Sequence, residues 1–139
     1  MLGMSERNGY VALVLVSHSA AIGEGVAELV SQVAGPDVPV LVAAGGPDGT
    51  LGTDGGRVLD ALRTASEGLG GVVLMDLGSS ILSVRAALGE LSPEQRDRLA
   101  VVDAPLVEGA VAAGVTASTG ATRDETALAA TQARAAAKF

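Results

Sequence analysis

Apolar and polar positions divide the chain into two kinds of segment. Nearly continuous aliphatic runs, typical of strands that are buried on both faces of a parallel sheet, cover Tyr10–Val16, Val38–Ala43, Gly71–Leu77 and Leu99–Val102. Between them lie segments with apolar residues at helical spacing, as in Ile22, Val26, Leu29, Val30 and Val33. The pattern therefore predicts strands that alternate with helices along the whole chain.

Capping and helix-breaking residues set the ends of the predicted helices. Gly35-Pro36 ends the first helix, and Thr53 is the predicted N-cap of the second, which contains Val58, Leu59 and Leu62. The remaining helices are predicted at Gly78–Leu88, after the capping box Ser92–Gln95, at Leu106–Ser118 and after the capping box Thr122–Glu125.

Strands joined by helices predict right-handed crossovers and a parallel sheet. The simplest arrangement is an α/β fold with a doubly wound, mainly parallel sheet of order 2-1-3-4, flanked by helices. Pro39 should then lie near the start of its strand or at a sheet edge. In this order the switch point lies between strands one and three, so we expect His18 and Asp76, at their carboxyl ends, to face each other.

Composition predicts one domain with an aliphatic core. The 139 residues are 48% hydrophobic but only 1% aromatic, so valine, leucine and alanine must fill the interior. We predict a single domain over residues 10–139, preceded by an N-terminal extension over residues 1–9.

Several classes of function are disfavoured. The net charge of −7 argues against partners that are nucleic acids or anionic membranes. The chain has no cysteine and one histidine, so we expect no metal site. The Gly45–Gly52 loop lacks a Gly-Lys-Ser/Thr ending, no G-x-G-x-x-G opens a helix after a strand, and we expect no cofactor. Without a targeting signal or a run near the ~20 residues of a membrane helix, we expect a cytoplasmic protein.

His18 is the candidate catalytic residue, and Asp76 is its candidate partner. Asp76 is the only charged group within an otherwise apolar strand. A carboxylate that holds one imidazole nitrogen fixes the tautomer, and this suits the ring to act as a base or a nucleophile. The alternative is that Asp76 merely caps the next helix. Capping and holding the imidazole are compatible roles for one carboxylate.

Small polar residues beside this pair are candidate phosphate-binding residues. Gly78, Ser79 and Ser80 open a helix, where backbone amides and the helix dipole favour an anion. Ser17 and Ser19 flank His18 and could donate to the same group. The alternative is that these serines only cap turns and helices.

Competing chemistries that use the same residue types fit less well. A serine hydrolase would need a G-x-S-x-G elbow, which is absent from the sequence. An aspartyl-phosphate receiver would need acidic residues after strand one and a lysine in the site, whereas the only lysine is Lys138. Phosphoryl transfer through a phosphohistidine remains.

The motifs resemble those of the DhaM family, the phosphotransferase-system subunits of bacterial dihydroxyacetone kinases. The resemblance extends from about Tyr10 to Gly120, and Ser80 stands where many members have alanine. It is carried by Val14–Ser19, Glu24–Leu29, Ala34–Pro39, Gly52-Thr53, Val73–Ser80 and Asp103–Gly109.

The resemblance implies a fold like the mannose-type enzyme IIA domain, commonly a homodimer. It implies that His18 accepts a phosphoryl group from phospho-HPr and passes it to ADP on the DhaL subunit, while DhaK holds dihydroxyacetone. Some members carry fused HPr-like domains, which this sequence lacks, so a separate donor is expected. Alanines in the last helices would permit close packing in a dimer but fit an internal core equally well, namely Ala110, Ala112, Ala113 and Ala117.

Two other functions remain open within this fold. A sugar-transporter enzyme IIA would pass the phosphoryl group to a IIB partner, but such domains typically have Thr-His-Gly where this chain has Ser17-His18-Ser19. A regulatory module would use phosphorylation of His18 to control the binding of a partner.

Overall fold

A parallel sheet forms the centre of the molecule in the computed structural model, which describes residues 9–139. Its four strands lie in the order β2-β1-β3-β4, and every neighbouring pair is parallel. The predicted order is therefore confirmed. Most of the predicted N-terminal extension, residues 1–8, lies outside the described residues. The strands are β1 (Ala12–Ser17), β2 (Val40–Ala44), β3 (Gly71–Met75) and β4 (Leu99–Val101).

Helices cover both faces of the sheet. They are α1 (Ala20–Ala34), α2 (Gly55–Ala65), α3 (Gly78–Leu88), α4 (Pro93–Asp97), α5 (Leu106–Ser118) and α6 (Arg123–Gln132), and a 3₁₀ turn, Ala133–Ala135, follows. Helices α1, α5 and α6 pack on one face, and α2 and α3 pack on the other. Among the residues that the structure describes, no helix is long and apolar enough to cross a membrane.

The core consists of two aliphatic clusters, one on each face of the sheet. Successive side chains of a strand point to opposite faces, so Leu13 and Leu15 of β1 enter one cluster while Val14 and Val16 enter the other. All four side chains are fully buried. This two-sided burial is why β1 has a continuous apolar sequence rather than an alternating one.

Helix α1 buries fewer of its apolar residues than the pattern predicts. Val26 and Val30 face the core, but Ile22, Leu29 and Val33 are 44%, 46% and 48% exposed. The five residues cover an arc wider than the part of a helix that meets the sheet. The surface that does meet the sheet also includes Gly23, which is buried against β2.

The second helix begins one residue later than predicted. Its N-cap is Asp54 and not Thr53, because the Asp54 carboxylate accepts hydrogen bonds from the amides of Gly56 and Arg57. Thr53 instead forms an isolated parallel bridge with Gly45.

Other predicted boundaries agree with the structure more closely. Both capping boxes are present, at Ser92 and Thr122. Strand β2 begins at Val40 rather than at Val38, so Pro39 lies just before the start of an edge strand, as expected.

Candidate active site

His18 and Asp76 meet at the carboxyl edge of the sheet. His18 follows β1, Asp76 follows β3, and the two strands are neighbours, with Val16 beside Met75. The Asp76 amide extends this pairing by donating to the Val16 carbonyl at 3.2 Å. His18 Nδ1 lies 3.0 Å from Asp76 Oδ2, so the residues predicted to face each other are in direct contact.

This contact assigns a proton to one nitrogen of the imidazole ring. A carboxylate oxygen accepts hydrogen bonds, so Nδ1 carries the proton and donates it to Asp76. The lone pair of the neutral ring is then on Nε2. The side chain of His18 is 25% exposed and that of Asp76 only 10%, so the ring is the accessible member of the pair. The arrangement can present Nε2 as a nucleophile.

The backbone of His18 is held on both sides. Its amide points at the Asp76 carboxylate, with both oxygens at 3.3 Å, and its carbonyl accepts a hydrogen bond of 2.8 Å from Gly52. Gly45, at the other end of that loop, donates to the Ser17 carbonyl at 3.0 Å. Gly45 has φ +83°, and a Cβ there would lie 3.1 Å from the Cβ of Ala20, so the position requires glycine.

Sequence analysis missed this use of the Gly45–Gly52 loop. The available signal was its position directly after β2, the strand beside β1. Two further contacts hold the residues just after this loop. The hydroxyl of Thr53 hydrogen-bonds to that of Ser83 in α3, and Arg57 of α2 donates to the Ala44 carbonyl of β2 at 3.0 Å. The loop thus supports the site as a scaffold that fixes the main chain of His18.

Asp76 accepts hydrogen bonds on both carboxylate oxygens. Oδ2 accepts from the Ser17 hydroxyl at 2.6 Å as well as from His18. Oδ1 accepts from the Leu77 amide at 2.6 Å and from the Ser80 hydroxyl at 2.8 Å. Because Leu77 is the N-cap residue of α3, the carboxylate both stabilises the start of that helix and contacts His18. Asp76 is therefore not the N-cap that the alternative interpretation predicted, since that residue is Leu77, but its carboxylate binds the Leu77 amide just before the helix.

These hydrogen bonds change the acidity of the carboxyl group. Burial by itself raises the pKa of Asp76, but the hydrogen bonds from Ser17, Leu77, Ser80 and His18 favour the charged form and lower the pKa from 3.8 to about 2. Asp76 is consequently an anion at neutral pH, which suits it to compensate positive charge on the imidazole ring.

The five predicted phosphate-binding residues separate into two groups. Ser17 and Ser80 are fully buried, and their hydroxyls donate to Asp76 rather than pointing into solvent. Gly78 and Ser79 are exposed in the first turn of α3, and Ser19 is partly buried as the N-cap of α1. A phosphate contact stays a prediction for Gly78, Ser79 and Ser19, whereas the hydroxyls of Ser17 and Ser80 are directed at Asp76.

Two helices begin next to the site, α1 shortly after His18 and α3 shortly after Asp76. Ser19 accepts from the Ile22 amide at 3.4 Å, which leaves its hydroxyl proton for another acceptor. The amides of Gly78 and Ser79 are in the first turn of a helix and have no acceptor within that helix. Both helix dipoles place positive charge at this edge, so the open side of His18 favours an anion.

Metal-ligating side chains do not cluster here. Within residues 9–139, no three His, Cys, Asp or Glu side chains are arranged to hold a metal ion. The groups described at this edge are the His18 imidazole, the Asp76 carboxylate and neutral hydrogen-bond donors.

Comparison with known proteins finds a matching family model and several similar relatives. The family model EIIA-man, described as the PTS system fructose IIA component, matches residues 12–127. The chain is 42% identical over 118 residues to the phosphoryl donor subunit DhaM of the PEP-dependent dihydroxyacetone kinase of Escherichia coli (strain K12), and the match covers 83% of this chain. It is 38% identical over 105 residues to a DhaM subunit of Listeria innocua, and here 76% of this chain and 84% of the relative are covered.

The lengths of these relatives differ. The chain spans about a quarter (25%) of the length of the Escherichia coli protein but most of the Listeria protein. A crystal structure of a protein of unknown function is also similar, with a TM-score of 0.77 and 33% identity over 86% of this chain and 92% of the other. The family match over residues 12–127 includes all four strands of the sheet.

Proposed function

The chain belongs to the EIIA-man family of PTS system fructose IIA components, and we propose that it carries a phosphoryl group on His18 between two other proteins. The observation that supports this most strongly is the contact of 3.0 Å between His18 Nδ1 and Asp76 Oδ2. It leaves Nε2, the ring nitrogen that does not contact Asp76, as the nucleophile of a partly exposed side chain. Asp76 and His18 are the proposed catalytic residues.

Phosphorylation requires no proton transfer from His18. The lone pair of Nε2 attacks the phosphorus atom of the donor, a P–N bond forms, and the bond between phosphorus and the donor's leaving atom breaks. Nδ1 keeps its proton, so the ring becomes positively charged beside the Asp76 anion. When ADP is the acceptor, its terminal phosphate oxygen attacks the phosphorus, and Nε2 leaves with the bonding electron pair.

The open side of the ring supplies the proposed contacts to the phosphoryl oxygens. The amides of Gly78 and Ser79 and the hydroxyls of Ser19 and Ser79 are neutral donors at helix starts. Charge that develops on the phosphoryl oxygens during transfer is stabilised most by donors already fixed in place.

Donor and acceptor are proposed from the relatives. Several of these are named phosphoryl donor subunits of PEP-dependent dihydroxyacetone kinases. We therefore propose phospho-HPr as donor and DhaL-bound ADP as acceptor, with DhaK holding the dihydroxyacetone that is finally phosphorylated, all in the cytoplasm. The chain itself is expected to bind neither ATP nor dihydroxyacetone.

A second candidate is a sugar-transporter enzyme IIA. The description of the family model as a fructose IIA component favours it, and it would use the same His18 chemistry but transfer the group to a IIB protein. The names of the relatives and the Ser17-His18-Ser19 sequence favour the kinase role.

One labelling experiment separates these candidates. The protein is phosphorylated with ³²P from phosphoenolpyruvate, enzyme I and HPr, repurified, and mixed with DhaL–ADP or with a mannose-type IIB protein. We expect label to appear in ATP on DhaL and not on the IIB protein. Transfer to IIB alone would support the transporter role, and absence of label on His18 would contradict phosphoryl transfer altogether.

A further inference from the structure

We propose that Ser17 is a positioning residue for phosphoryl transfer, whose buried hydroxyl holds the Asp76 carboxylate in the orientation that fixes the imidazole of His18. This role deepens the proposed function and rests on it, because fixing the ring matters for the reaction only if His18 carries the phosphoryl group. This role differs from the one that the sequence predicts, in which Ser17 donates a hydrogen bond to a bound phosphate.

The direction of the Ser17 hydroxyl follows from its two partners. Its oxygen accepts the amide proton of Ser19 at 3.1 Å, and its own proton is donated to Asp76 Oδ2 at 2.6 Å. A hydroxyl has only one proton to donate. With that proton on Asp76, Ser17 has none left for a phosphoryl oxygen.

Ser17 and His18 share the same carboxylate oxygen. Oδ2 accepts from the Ser17 hydroxyl and from His18 Nδ1, which lie at 2.6 Å and 3.0 Å. Loss of the Ser17 hydroxyl removes a short, charge-assisted hydrogen bond from the atom that orients the ring. The carboxylate then keeps only its contacts with Leu77, Ser80 and His18, and the oxygen that accepts from the ring is held less firmly.

The position of Ser17 excludes direct contact with a partner protein. Its side chain is 0% exposed, and its backbone is held between neighbours, since it pairs with Ala44 of β2 and its carbonyl accepts from Gly45. Any effect of the Ser17 hydroxyl on phosphoryl transfer therefore passes through its two hydrogen-bond partners, Asp76 and the Ser19 amide, and the tautomer of His18 reports on the first of these.

Ser80 provides an internal comparison. It is equally buried and donates to the same carboxylate, but to Oδ1, which also accepts the Leu77 amide. The proton of Ser80 is shared as well, because the Leu77 carbonyl lies 2.6 Å from its hydroxyl oxygen. Removing this hydroxyl leaves Oδ1 with a backbone donor and leaves Oδ2 unchanged.

The test compares Ser17→Ala with Ser80→Ala and Ser66→Ala. Ser66 is also buried, but its hydroxyl donates to the Arg63 carbonyl at the end of α2, so this variant controls for the loss of a buried serine hydroxyl elsewhere. Each variant is examined by ¹⁵N NMR of the imidazole ring without phosphate and by rapid-quench measurement of phosphoryl transfer from phospho-HPr. Urea unfolding verifies that each variant is folded.

For Ser17→Ala, we expect a mixture of the two ring tautomers in place of protonated Nδ1 alone. We also expect the maximal rate of transfer to fall about tenfold or more while the half-saturating HPr concentration stays the same. Ser80→Ala should show a smaller decrease in rate, and Ser66→Ala should show none. Ser17→Thr, which retains a hydroxyl, should restore the tautomer.

The possible results distinguish this role from its alternatives. If Ser17→Ala slows transfer but leaves the tautomer unchanged, the effect passes through the Ser19 amide and not through Asp76, and the positioning role is wrong. An unchanged rate and an unchanged tautomer would also overturn it. Because the tautomer is read without phosphorylation, a wild-type protein that accepts no phosphoryl group would refute the proposed function while the effect of Ser17 on the ring could still be measured.

Discussion

At the scale of single residues, the site depends on how one carboxylate distributes its hydrogen bonds. Asp76 uses Oδ1 to hold the start of α3, through Leu77 and Ser80, and uses Oδ2 to hold His18 and Ser17. The group that orients the nucleophile is thus also part of the junction between a strand and a helix. A substitution that shortens this side chain would therefore disturb both the nucleophile and the start of α3.

Replacing Asp76 by asparagine should preserve the shape of the site and impair its chemistry. The neutral amide can turn its NH₂ group toward Nδ1, which then becomes the acceptor, so the proton moves to Nε2 and the nucleophile is lost. By analogy with the aspartate-to-asparagine change in serine proteases, we expect transfer from phospho-HPr to slow by about 10²–10⁴-fold. Rapid-quench kinetics measure the rate, and circular dichroism monitors the fold. A rate within threefold of wild type would contradict a role for Asp76 in setting the tautomer.

The lowered pKa of Asp76 predicts a specific dependence of stability on pH. Its folded value of about 2 lies below the ordinary value of 3.8, so the ionised carboxylate stabilises the folded state above about pH 4, and this contribution is lost as the pH falls toward 2. Urea unfolding of the wild type and Asp76→Asn should show a free-energy difference that shrinks over this range. A difference that is constant from pH 6 to pH 2 would be inconsistent with the hydrogen-bonded carboxylate.

At the scale of elements, the start of α1 places Ser19 and the residues after His18 against β2. The close approach depends on Gly23, where a Cβ would lie 2.4 Å from the Cβ of Ala44 and 3.1 Å from Val42 Cγ1. Real Cβ atoms do not approach so closely, so a larger residue must displace the helix from the sheet. The position of the proposed anion site is therefore sensitive to packing one turn away.

A pair of glycine substitutions in α1 tests this dependence. Gly23→Ala should destabilise the protein by about 1–3 kcal/mol through overpacking and should also slow phosphoryl transfer, because the first turn of α1 moves. Gly25→Ala is the matched control, since a Cβ there meets no atom of the described residues within 4 Å. It should leave transfer unchanged and stabilise the helix by about 0.5–1 kcal/mol. Equal melting temperatures for the two variants would show that the contact with β2 is unimportant.

The elements themselves were largely predictable from the sequence. Strands buried on both faces have continuous apolar runs, and the capping boxes at Ser92 and Thr122 mark helix starts by local chemistry alone. Thr53 and Asp54 show where such reasoning fails, because both are good N-caps and the choice depends on a bridge between Thr53 and Gly45, which lies on another segment. Which apolar residues of α1 are exposed is likewise decided by how the helix packs on the sheet.

The site was predictable only in part. The pairing of His18 with Asp76 followed from strand order, because parallel neighbours bring their carboxyl ends together. The hydroxyl directions of Ser17 and Ser80 did not follow, since a serine beside a histidine can point to the carboxylate or to the ligand. Only the three-dimensional arrangement shows that Ser17 donates to Asp76 and that Ser80 shares its proton between Asp76 and the Leu77 carbonyl.

At the scale of the whole molecule, the alanine-rich helix α5 is used internally. Ala110, Ala113 and Ala117 are fully buried in the core beside the sheet, and Ala112 is partly buried. Of the two uses left open for these alanines, the core accounts for the three that are fully buried. The proposed homodimer therefore rests on the family resemblance and needs a surface other than this buried stripe.

The oligomeric state can be measured directly. We expect multi-angle light scattering to give a mass of twice the chain mass of 13.6 kDa over a range of concentrations. A mass of one chain that does not change with concentration would rule out the homodimer. The phosphoryl-transfer chemistry would be unaffected by that result, because His18, Asp76 and their hydrogen-bond partners all belong to one chain.

The most direct test of the whole interpretation is to locate the phosphoryl group on the protein. Protein labelled with ¹⁵N in histidine is incubated with phosphoenolpyruvate, enzyme I and HPr, and coupling between ³¹P and ¹⁵N is recorded, with His18→Ala as the control. We predict that phosphorus is bonded to Nε2 of His18 and that the bond is labile in acid and stable in alkali. Phosphorus on Nδ1, or phosphorylation that persists in His18→Ala, would contradict the account.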